Sequence, residues 1–420
     1  MSDGRRYYLT TPIYYVNDVP HVGHAYTTIA ADTVTRARRL RGVPAFFLTG
    51  TDEHGQNIER IARDRGVSEQ QHCDEIAARF RALWQRYDVR YDGFIRTTDA
   101  IHLRGVLALW EKLRTAVAPN GEPAVYRGKY AGWYCPRCEA FKTEDELKQP
   151  GNVCPDHERP CEWTEEENFF FRLSAYSSWL EQIIISGVLR IDPAGRRNEV
   201  LAVIRQGLQD FSISRARVKW GIPVPGEPGH VFYVWTDALE NYVTALGYGE
   251  TEAAGREPYR RWWEGAFERF HLVGKEIIRF HCLYWPAMLE AAGEPVPTRV
   301  FAHGHLTKNG KKLSKTTGNV IDPEALVARW GPDAVRYFLL REGSFGQDWD
   351  FTDKAFVGRY NSDLANDLGN LVSRTLTMMR PYCGGRIPER ASGTHGDGLV
   401  DGVLGKYEAL DFTGALGDVW

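Results

Sequence analysis

The chain has 420 residues, a length that predicts two to four domains rather than one core. Hydrophobic residues make up 43% of the sequence and charged residues 25%, which excludes a disordered protein. The formal net charge of -3 argues against a general binder of polyanions. Neither an apolar run of about 18 residues nor a signal-peptide core is present, so we expect a cytoplasmic protein that does not enter a membrane.

Strand and helix patterns alternate at the start of the chain and predict a doubly wound parallel sheet. Residues 5–11 (RRYYLTT) predict a buried strand, and residues 25–40 carry apolar side chains at helical spacing. A second strand, 44–50 (PAFFLTG), leads through the polar loop TDEHGQN into a helix at 57–66. Ligands of such sheets bind outside the carboxyl ends of the strands. The side chains that we expect to converge there are His21, His24, Asp52 and His54.

The middle of the chain breaks this rhythm. From about residue 120 short strands, glycines and a cysteine cluster predict an insertion, and the parallel-sheet pattern returns around 229–243 and 269–289. Asn309-Gly310 predicts a hairpin turn, and Asp322-Pro323 predicts a helix start. An amphipathic helix is expected over 360–382. The last helical stretch runs to Trp420 without a stop signal, so the chain is expected to be shortened at this end.

The motif HVGH, residues 21–24, is a candidate anion site. Two histidines in a loop are often only hydrogen-bonded structure. Here they stand at the start of a helix, where free backbone N–H groups and the macrodipole favour a phosphate, and Gly23 lets the backbone approach a ligand. The lysine loop KKLSKTTGN, residues 311–319, would by itself be typical of a solvated turn. No Walker or dinucleotide-binding glycine pattern is present.

The cysteines predict a zinc site. Cys135 and Cys138 form a C-x2-C pair, and after fifteen residues Cys154 and His157 form a C-x2-H pair, which is the spacing of two zinc knuckles. Cys161 competes with His157 as the fourth ligand, and the repeated knuckle spacing favours His157. The alternatives are unligated turn residues or a redox-active CPRC, which lacks a thioredoxin-type context.

Two motifs of this chain, HVGH and the later KLSKT, resemble the two signature motifs of class I aminoacyl-tRNA synthetases. The resemblance narrows to the methionyl-tRNA synthetases and extends from about Arg5 to Trp420. Leu313 and Thr316 depart from the usual Met and Ser of the lysine motif and keep their size and chemistry. The stretches that carry the resemblance are TTPIYYVNDVPHVGHAYTTIAAD, FLTGTDEHGQNI, GWYCPRC, EENFFFRLS, KWGIPVPGEPGHVFYVWTDALENYVTALGY and HLVGKEIIRFHCLYWPAML.

The resemblance implies roles for individual residues. Those acting on the phosphates during catalysis would be His21, His24, Lys312 and Lys315. Those near the nucleotide would be Asn17, Gly23, Glu276, His303 and Gly304. Those around methionine would be Ile13, Tyr15, Asp52, Trp235, Ala238, Leu239, Tyr242, Ile277 and His281. Asn370 and Arg374 match anticodon-side residues that contact tRNA. Taken singly, the apolar residues are typical of a core, Asp52 of a helix cap and the last two of an exposed helix.

The implied architecture is an α/β fold whose Rossmann-like doubly wound parallel sheet is split by a zinc-bearing connective domain. Its bounds are 1–118 and 220–300 for the two halves of the nucleotide-binding domain, 119–219 for the insertion, 301–358 for the linker with the KLSKT loop, and 359–420 for an incomplete α-helical anticodon-binding domain.

The implied activity is ATP-dependent activation of L-methionine and its transfer to methionine tRNA. Mg²⁺ would accompany ATP, and one Zn²⁺ would be structural. The protein would be a monomer, and whether a separate C-terminal helical partner completes it stays open. Two alternatives remain open. One is an amino-acid-adenylating enzyme of specialised metabolism that needs no tRNA, and the other is a non-catalytic tRNA-binding paralogue.

Overall fold

A computed structural model describes residues 5–136, 140–142, 144–155, 158–313, 319–387 and 397–420. Across these ranges, none of the helices combines the length and the apolar composition needed to span a bilayer.

The strands, in chain order, are β1 (Tyr7–Thr10), β2 (Tyr14–Tyr15), β3 (Ala45–Asp52), β4 (Gly93–Arg96), β5 (Val125–Cys135), β6 (Ala140–Lys142), β7 (Glu162–Phe171), β8 (Arg190–Asp192), β9 (Phe211–Ser212), β10 (Ser214–Arg215), β11 (Val231–Phe232), β12 (Glu268–Gly274), β13 (Arg299–His303), β14 (Leu306–Lys308), β15 (Lys311–Lys312) and β16 (Trp349–Phe351).

The α-helices are α1 (Val22–Leu40), α2 (Gln56–Arg65), α3 (Glu69–Arg86), α4 (Ala100–Leu113), α5 (Ser177–Ile185), α6 (Ala194–Gln206), α7 (Val234–Thr244), α8 (Ala253–Tyr259), α9 (Trp285–Ala291), α10 (Pro323–Trp330), α11 (Pro332–Arg341), α12 (Asp353–Arg359), α13 (Asn370–Cys383), α14 (Asp397–Glu408) and α15 (Phe412–Val419). Short 3-10 turns span Glu144–Glu146, Leu173–Tyr176 and Lys275–Ile277, and π-helical turns span Arg260–Glu264, Phe280–Tyr284 and Tyr360–Gly369.

The central sheet is parallel throughout, which confirms the predicted sheet type. Its order is β2-β3-β1-β12-β13-β8, and β4 also pairs with β3. Since β3 and β12 flank β1, the segments that leave these three strands lie at one edge of the sheet. That edge holds the candidate site.

The two faces of the sheet pack into separate apolar cores. Tyr8 and Leu48 point into one core, and their neighbours Leu9 and Phe47 point into the other. Successive side chains of a strand point to opposite faces, so both faces of β1 and β3 are buried. This is why these strands have few polar residues. Helices cover both faces, as the doubly wound prediction requires.

The middle region contributes to more than one sheet. Antiparallel pairing in the order β6-β5-β7-β9 builds a separate four-stranded sheet, as an insertion predicts. Within the same segment 119–219, however, β8 pairs in parallel with β13 and so belongs to the central sheet. Arg190–Asp192 is too short to stand out from its surroundings in the sequence, and this is why the segment was predicted as a single insertion. The domain bounds remain a prediction.

The region after β13 follows the predicted turn and helix start. Asn309 and Gly310 both have positive φ, 55° and 69°, and join β14 to β15 as a hairpin. Asp322 caps α10 by accepting a hydrogen bond from Glu324 N at 2.8 Å. The predicted helix 360–382 begins as a π-helical segment and continues as α13, which is mostly exposed.

Candidate functional site

Helix α1 begins with a reciprocal cap made by two histidines. His21 Nδ1 accepts a hydrogen bond from Gly23 N at 3.1 Å, and His24 Nδ1 accepts one from His21 N at 3.3 Å. A Cβ atom at Gly23 would lie 2.9 Å from His21 Cε1, closer than side chains approach, so this cap requires glycine there. The helix therefore starts at Val22, inside the motif that was expected to precede it.

The cap settles which ring nitrogen carries the proton. Because Nδ1 of His21 and of His24 accepts a hydrogen bond, a neutral ring carries its proton on Nε2. Nε2–H is thus the group with which each ring can donate to a phosphate oxygen. The structure places both donors at a helix N-terminus, where anions are favoured.

Two of the residues predicted to lie near the nucleotide, Gly23 and His303, are joined through Thr27 of α1. Thr27 Oγ1 donates to Gly23 O at 3.2 Å and lies 2.7 Å from His303 Nε2, so it joins α1 to the end of β13. Burial lowers the pKa of His303, which keeps the ring neutral. Gly304 allows close backbone packing, since a Cβ atom there would lie 2.2 Å from the carbonyl carbon of Gln347.

Glu276 lies just beyond the carboxyl end of β12. Its Oε2 accepts a hydrogen bond from His305 Nε2 at 2.7 Å. Desolvation alone would raise the pKa of Glu276, but the bond to His305 and its charge outweigh it and lower the pKa to about 2. Glu276 is therefore an anionic acceptor at neutral pH, suited to the hydroxyls of a ribose. Asn17 is exposed, and no described contact joins it to this group.

Two of the residues predicted to surround a bound methionine, Tyr242 and His281, form a buried polar pair. Tyr242 OH lies 2.7 Å from His281 Nε2, and His281 Nδ1 lies 2.9 Å from Ile277 O. A backbone carbonyl only accepts, so Nδ1 carries the proton and Tyr242 donates to Nε2. Burial lowers the pKa of His281 to about 4, so the ring is neutral at physiological pH.

The apolar part of the predicted pocket lies on α7 and at the carboxyl ends of the first strands. The rings of Trp235 and Phe280 stack with centroids 4.0 Å apart. Ala238 and Leu239 are buried on α7. Ile13 stands beside Gly50 of β3, where a Cβ atom would lie 3.0 Å from the Ile13 Cγ2 methyl.

Asp52 is the last residue of β3 and does not cap a helix, because Gly55 holds that place at α2. It pairs in register with Tyr15 of β2, and its carbonyl accepts a hydrogen bond from Val16 N at 3.0 Å. The residue is 8% exposed. The structure thus brings Asp52 and Tyr15 together at the sheet edge.

The lysine loop is partly outside the described residues. Lys312 belongs to β15, and Lys315 lies outside the described residues. Asp350 secures the hairpin that leads into the loop, since its Oδ1 accepts hydrogen bonds from Thr307 Oγ1 and Gly310 N, both at 2.8 Å. The start of the lysine loop is therefore anchored to β16.

Three cysteines of the connective region form one small buried cluster with Leu147. Cys135, Cys154 and Cys161 are each at most 6% exposed. Burial and the neighbouring Cys135 and Cys154 raise the pKa of the Cys161 thiol to about 11. Cys138 and His157 lie outside the described residues, and among those described no three potential metal ligands form a group that could hold an ion.

Asn370 and Arg374 lie on the first turns of α13, and both are exposed. Their predicted contact with tRNA stays a prediction.

Sequence patterns did not single out two buried charged residues near the site. Asp237 of α7 binds the imidazoles of His54 and His102. Arg215 is 5% exposed, its Nη1 donates to Ser212 Oγ at 2.7 Å, and it lines a small cavity with Gly55 and other residues. Asp237 lies within a stretch that resembles the synthetases and Arg215 lies just before it, but no spacing rule marks either residue.

The chain is similar to known synthetases over most of its length. A family model described as tRNA synthetases class I (M) matches residues 7–376. The methionine–tRNA ligase of Thermotoga maritima is 48% identical over 385 residues, which cover 91% of this chain and 59% of that protein. The methionine–tRNA ligase of Thermosynechococcus vestitus is 51% identical over 381 residues, which cover 90% of this chain and 70% of that protein.

A solved structure is also similar. Mycobacterium tuberculosis methionyl-tRNA synthetase in complex with methionyl-adenylate superposes with a TM-score of 0.92 at 42% identity, over 99% of this chain and 81% of that chain. The chain spans 59% of the length of the Thermotoga maritima relative and 64% of a Caldanaerobacter subterraneus relative.

Proposed function

Because the chain belongs to the family described as tRNA synthetases class I (M), we propose that it is a methionine–tRNA ligase. The carboxylate of methionine attacks the α-phosphorus of ATP in line, and pyrophosphate leaves. A ribose hydroxyl of the terminal adenosine of methionine tRNA then attacks the carbonyl carbon of the bound adenylate and releases AMP. Neither step requires a covalent bond to the enzyme.

The observation that carries the proposal is the histidine cap at the start of α1. Phosphoryl chemistry needs donors that are already in place where charge develops, rather than a nucleophile from the protein. His21 and His24 meet this need, because the cap holds their rings and directs the proton to Nε2. Glu276 would bind the ribose, and His303 and Gly304 would shape the nucleotide side.

We propose that Lys312 and Lys315 bind the departing pyrophosphate from the other side. Ammonium groups are strong point charges for phosphate, and Mg²⁺ enters with ATP as part of the substrate. The hydrogen bonds of Asp350 support this role because they anchor the hairpin from which the lysine loop starts.

The pocket on α7 suits an unbranched thioether side chain. Trp235, Leu239 and Ile277 supply apolar surface, and the Tyr242–His281 pair supplies a polar end. Shape alone discriminates one methylene by about 1–3 kcal/mol, so the polar pair would add discrimination against leucine. Asp52 would bind the substrate ammonium, an interaction that gains strength in a cleft shielded from water.

We propose that the connective region binds a structural zinc ion. Buried thiols that converge without disulfide bonds are a donor set that Zn²⁺ prefers. Cys135, Cys138, Cys154 and His157 would hold the ion, and Cys161 would pack against them. The ion would contribute to folding of this region and supply no step of the reaction.

Transfer to tRNA and a cytoplasmic location complete the proposal. Asn370 and Arg374 are exposed, as contact with an anticodon arm requires. A carrier or metabolite as acceptor is the alternative.

The test pairs two assays on the full chain. ATP–pyrophosphate exchange is measured with a panel of amino acids, and charging is measured with elongator and initiator methionine tRNAs. The proposal expects exchange with methionine and charging of both tRNAs. Exchange without charging would favour a small-molecule acceptor, and absence of both activities would favour a non-catalytic binding protein.

A further inference from the structure

Asp237 is a buried carboxylate shared by two imidazoles. Its Oδ2 lies 2.6 Å from His54 Nδ1, and its Oδ1 lies 2.6 Å from His102 Nε2. The side chains of Asp237 and His102 have no exposed surface, and that of His54 is 9% exposed. A carboxylate only accepts hydrogen bonds, so the nitrogen of each ring that faces it carries a proton and donates.

The cluster keeps Asp237 ionised. Burial alone would raise the pKa of this carboxyl group, but the two imidazoles outweigh burial and lower the pKa to about 2. Asp237 also stands in the first turn of α7, where the macrodipole favours an anion. One turn later, burial and the charge of Asp237 raise the pKa of Glu240, so that carboxyl group stays neutral.

The two imidazoles come from different parts of the fold. His102 belongs to α4, and its Nδ1 lies 2.7 Å from Thr244 Oγ1 at the end of α7, so it fastens one scaffold helix to another. His54 belongs to the loop after β3 and follows Asp52 by two residues. Its bond to Asp237 therefore fastens α7 to the loop that begins directly after Asp52, the candidate ammonium ligand.

Other hydrogen bonds hold this loop to different elements. Glu53 accepts two bonds from Arg96 of β4, at 2.7 and 2.9 Å. Gly55 N donates to Trp220 O at 3.0 Å, in the segment before β11. These contacts set the loop against β4 and that segment, whereas the His54–Asp237 bond sets it against α7.

The spacing between this loop and α7 matters for a bound amino acid. On α7, Asp237 lies between Trp235 and Ala238, which line the candidate side-chain slot, and Tyr242 follows on the same helix. An amino acid whose ammonium meets Asp52 and whose side chain enters the slot must span from the loop to the helix. A displacement of about 1 Å between two such anchors can cost about 100-fold in catalysis.

We propose that Asp237, acting through His54, is the positioning residue that sets the distance between Asp52 and the side-chain slot for methionine. The inference rests on the proposed function, since it takes methionine as the occupant of the slot. His102 holds the same carboxylate but fixes no distance between substrate contacts.

The test compares the two arms of the cluster. His54→Ala, His54→Asn, His102→Ala and Asp237→Asn are made in the full chain, and the dissociation constant for methionine is measured by calorimetry. KM values for methionine and for ATP are measured in pyrophosphate exchange, and the melting temperature reports stability. In His54→Asn, the side-chain amide can place an N–H group near the position that Nδ1 occupies in the wild-type chain, so this is the conservative variant.

We expect His54→Ala to weaken methionine binding by about 10-fold to 100-fold while the KM for ATP stays within about two-fold. His54→Asn should recover most of this loss. His102→Ala should lower the melting temperature and leave methionine affinity within about two-fold.

Equal effects of the two arms on methionine affinity, or none from His54→Ala, would overturn the inference. If His54→Ala does not fold, Asp237→Asn is compared with His102→Ala: the inference expects Asp237→Asn to lose methionine affinity by about 10-fold or more while His102→Ala keeps it, and equal affinities would overturn it. A wild-type chain that does not bind methionine would overturn both the proposed function and this inference, whereas binding with unaffected variants would overturn only the inference.

Discussion

The imidazole rings of His21 and His24 stack at the start of α1 with their centroids 3.6 Å apart and their planes 25° from parallel. Because each ring also accepts a backbone hydrogen bond through Nδ1, the two side chains that we propose to act on the phosphates are also the ones that cap the helix. A substitution that keeps the cap but removes the imidazole should separate these two roles.

We predict that His21→Asn reduces the rate of pyrophosphate exchange by about 100-fold to 1,000-fold, as expected for the loss of one preorganised donor to developing charge. Asn is among the preferred helix N-cap residues, so the free energy of unfolding should change by only a few tenths of a kcal/mol. His21→Ala should lose the activity and also about 1 kcal/mol of stability. Exchange kinetics and urea unfolding measure the two effects, and a fully active His21→Asn variant would contradict the assigned role.

The lysine loop yields a second prediction, because Asp350 anchors the hairpin before it. Lys315→Ala should slow adenylate formation by about 100-fold to 1,000-fold, with methionine affinity unchanged, since the side chain would contact only the departing pyrophosphate. Asp350→Ala should slow the same step by about 10-fold by misplacing the loop. Single-turnover adenylate formation and calorimetry with methionine measure both.

Two control variants, Asp350→Asn and Lys354→Ala, accompany these substitutions. Asp350→Asn retains a side-chain oxygen that can accept from Gly310 N, so its rate should stay near wild type. Lys354→Ala removes an exposed lysine on α12 and should have no effect. A loss of methionine affinity in Lys315→Ala would place this lysine on the amino acid instead of the pyrophosphate.

The cysteine cluster predicts a metal stoichiometry. The purified protein should contain one zinc per chain, and Cys154→Ser should lose it together with the folding of the connective sheet, since metal binding and folding are coupled. Cys383→Ser, at a half-buried residue that is not part of the cluster, should keep the metal. Inductively coupled plasma mass spectrometry measures the metal content.

Two further variants identify the fourth zinc ligand. His157→Asn should lose zinc, and Cys161→Ser should retain it, because the second knuckle repeats the spacing of the first. The reverse pattern would make Cys161 the ligand.

Local patterns predicted much of the fold. Asn309-Gly310 specifies a hairpin turn by its backbone conformations, and Asp322-Pro323 specifies a helix start, so both were predictable from a few neighbouring residues. Tyr8 and Leu9 are both apolar, and neighbouring side chains of a strand point to opposite faces, so these two residues likewise required the sheet to be covered on both faces. Such features depend on sequence within one element.

Features that depend on distant partners could not be predicted. Asp237 and His54 are 183 residues apart in the chain, and neither neighbourhood indicates the other. The strand β8 is set by pairing with β13, not by its own three residues. The capping role of the HVGH histidines was also missed, because cap preferences favour Ser, Asp and Asn over histidine.

The buried pair of Tyr242 and His281 yields a pH-dependent prediction. The pKa of His281 is about 4 in the folded chain and about 6.5 in an unfolded one, so between these values the unfolded state binds a proton that the native state does not. The free energy of unfolding therefore falls as the pH falls through this window, by up to about 1.4 kcal/mol per pH unit from this group. Above about pH 7.5, where neither state holds this proton, the contribution of His281 is constant.

His281→Gln tests this linkage, because Gln can still accept a hydrogen bond from Tyr242 but does not titrate. Between pH 6.5 and pH 5, we expect wild type to lose about 1.6 kcal/mol more unfolding free energy than His281→Gln, as measured by urea denaturation at both pH values. Parallel curves for wild type and His281→Gln would mean that His281 is protonated in the native pocket, and Tyr242 could not then donate to it.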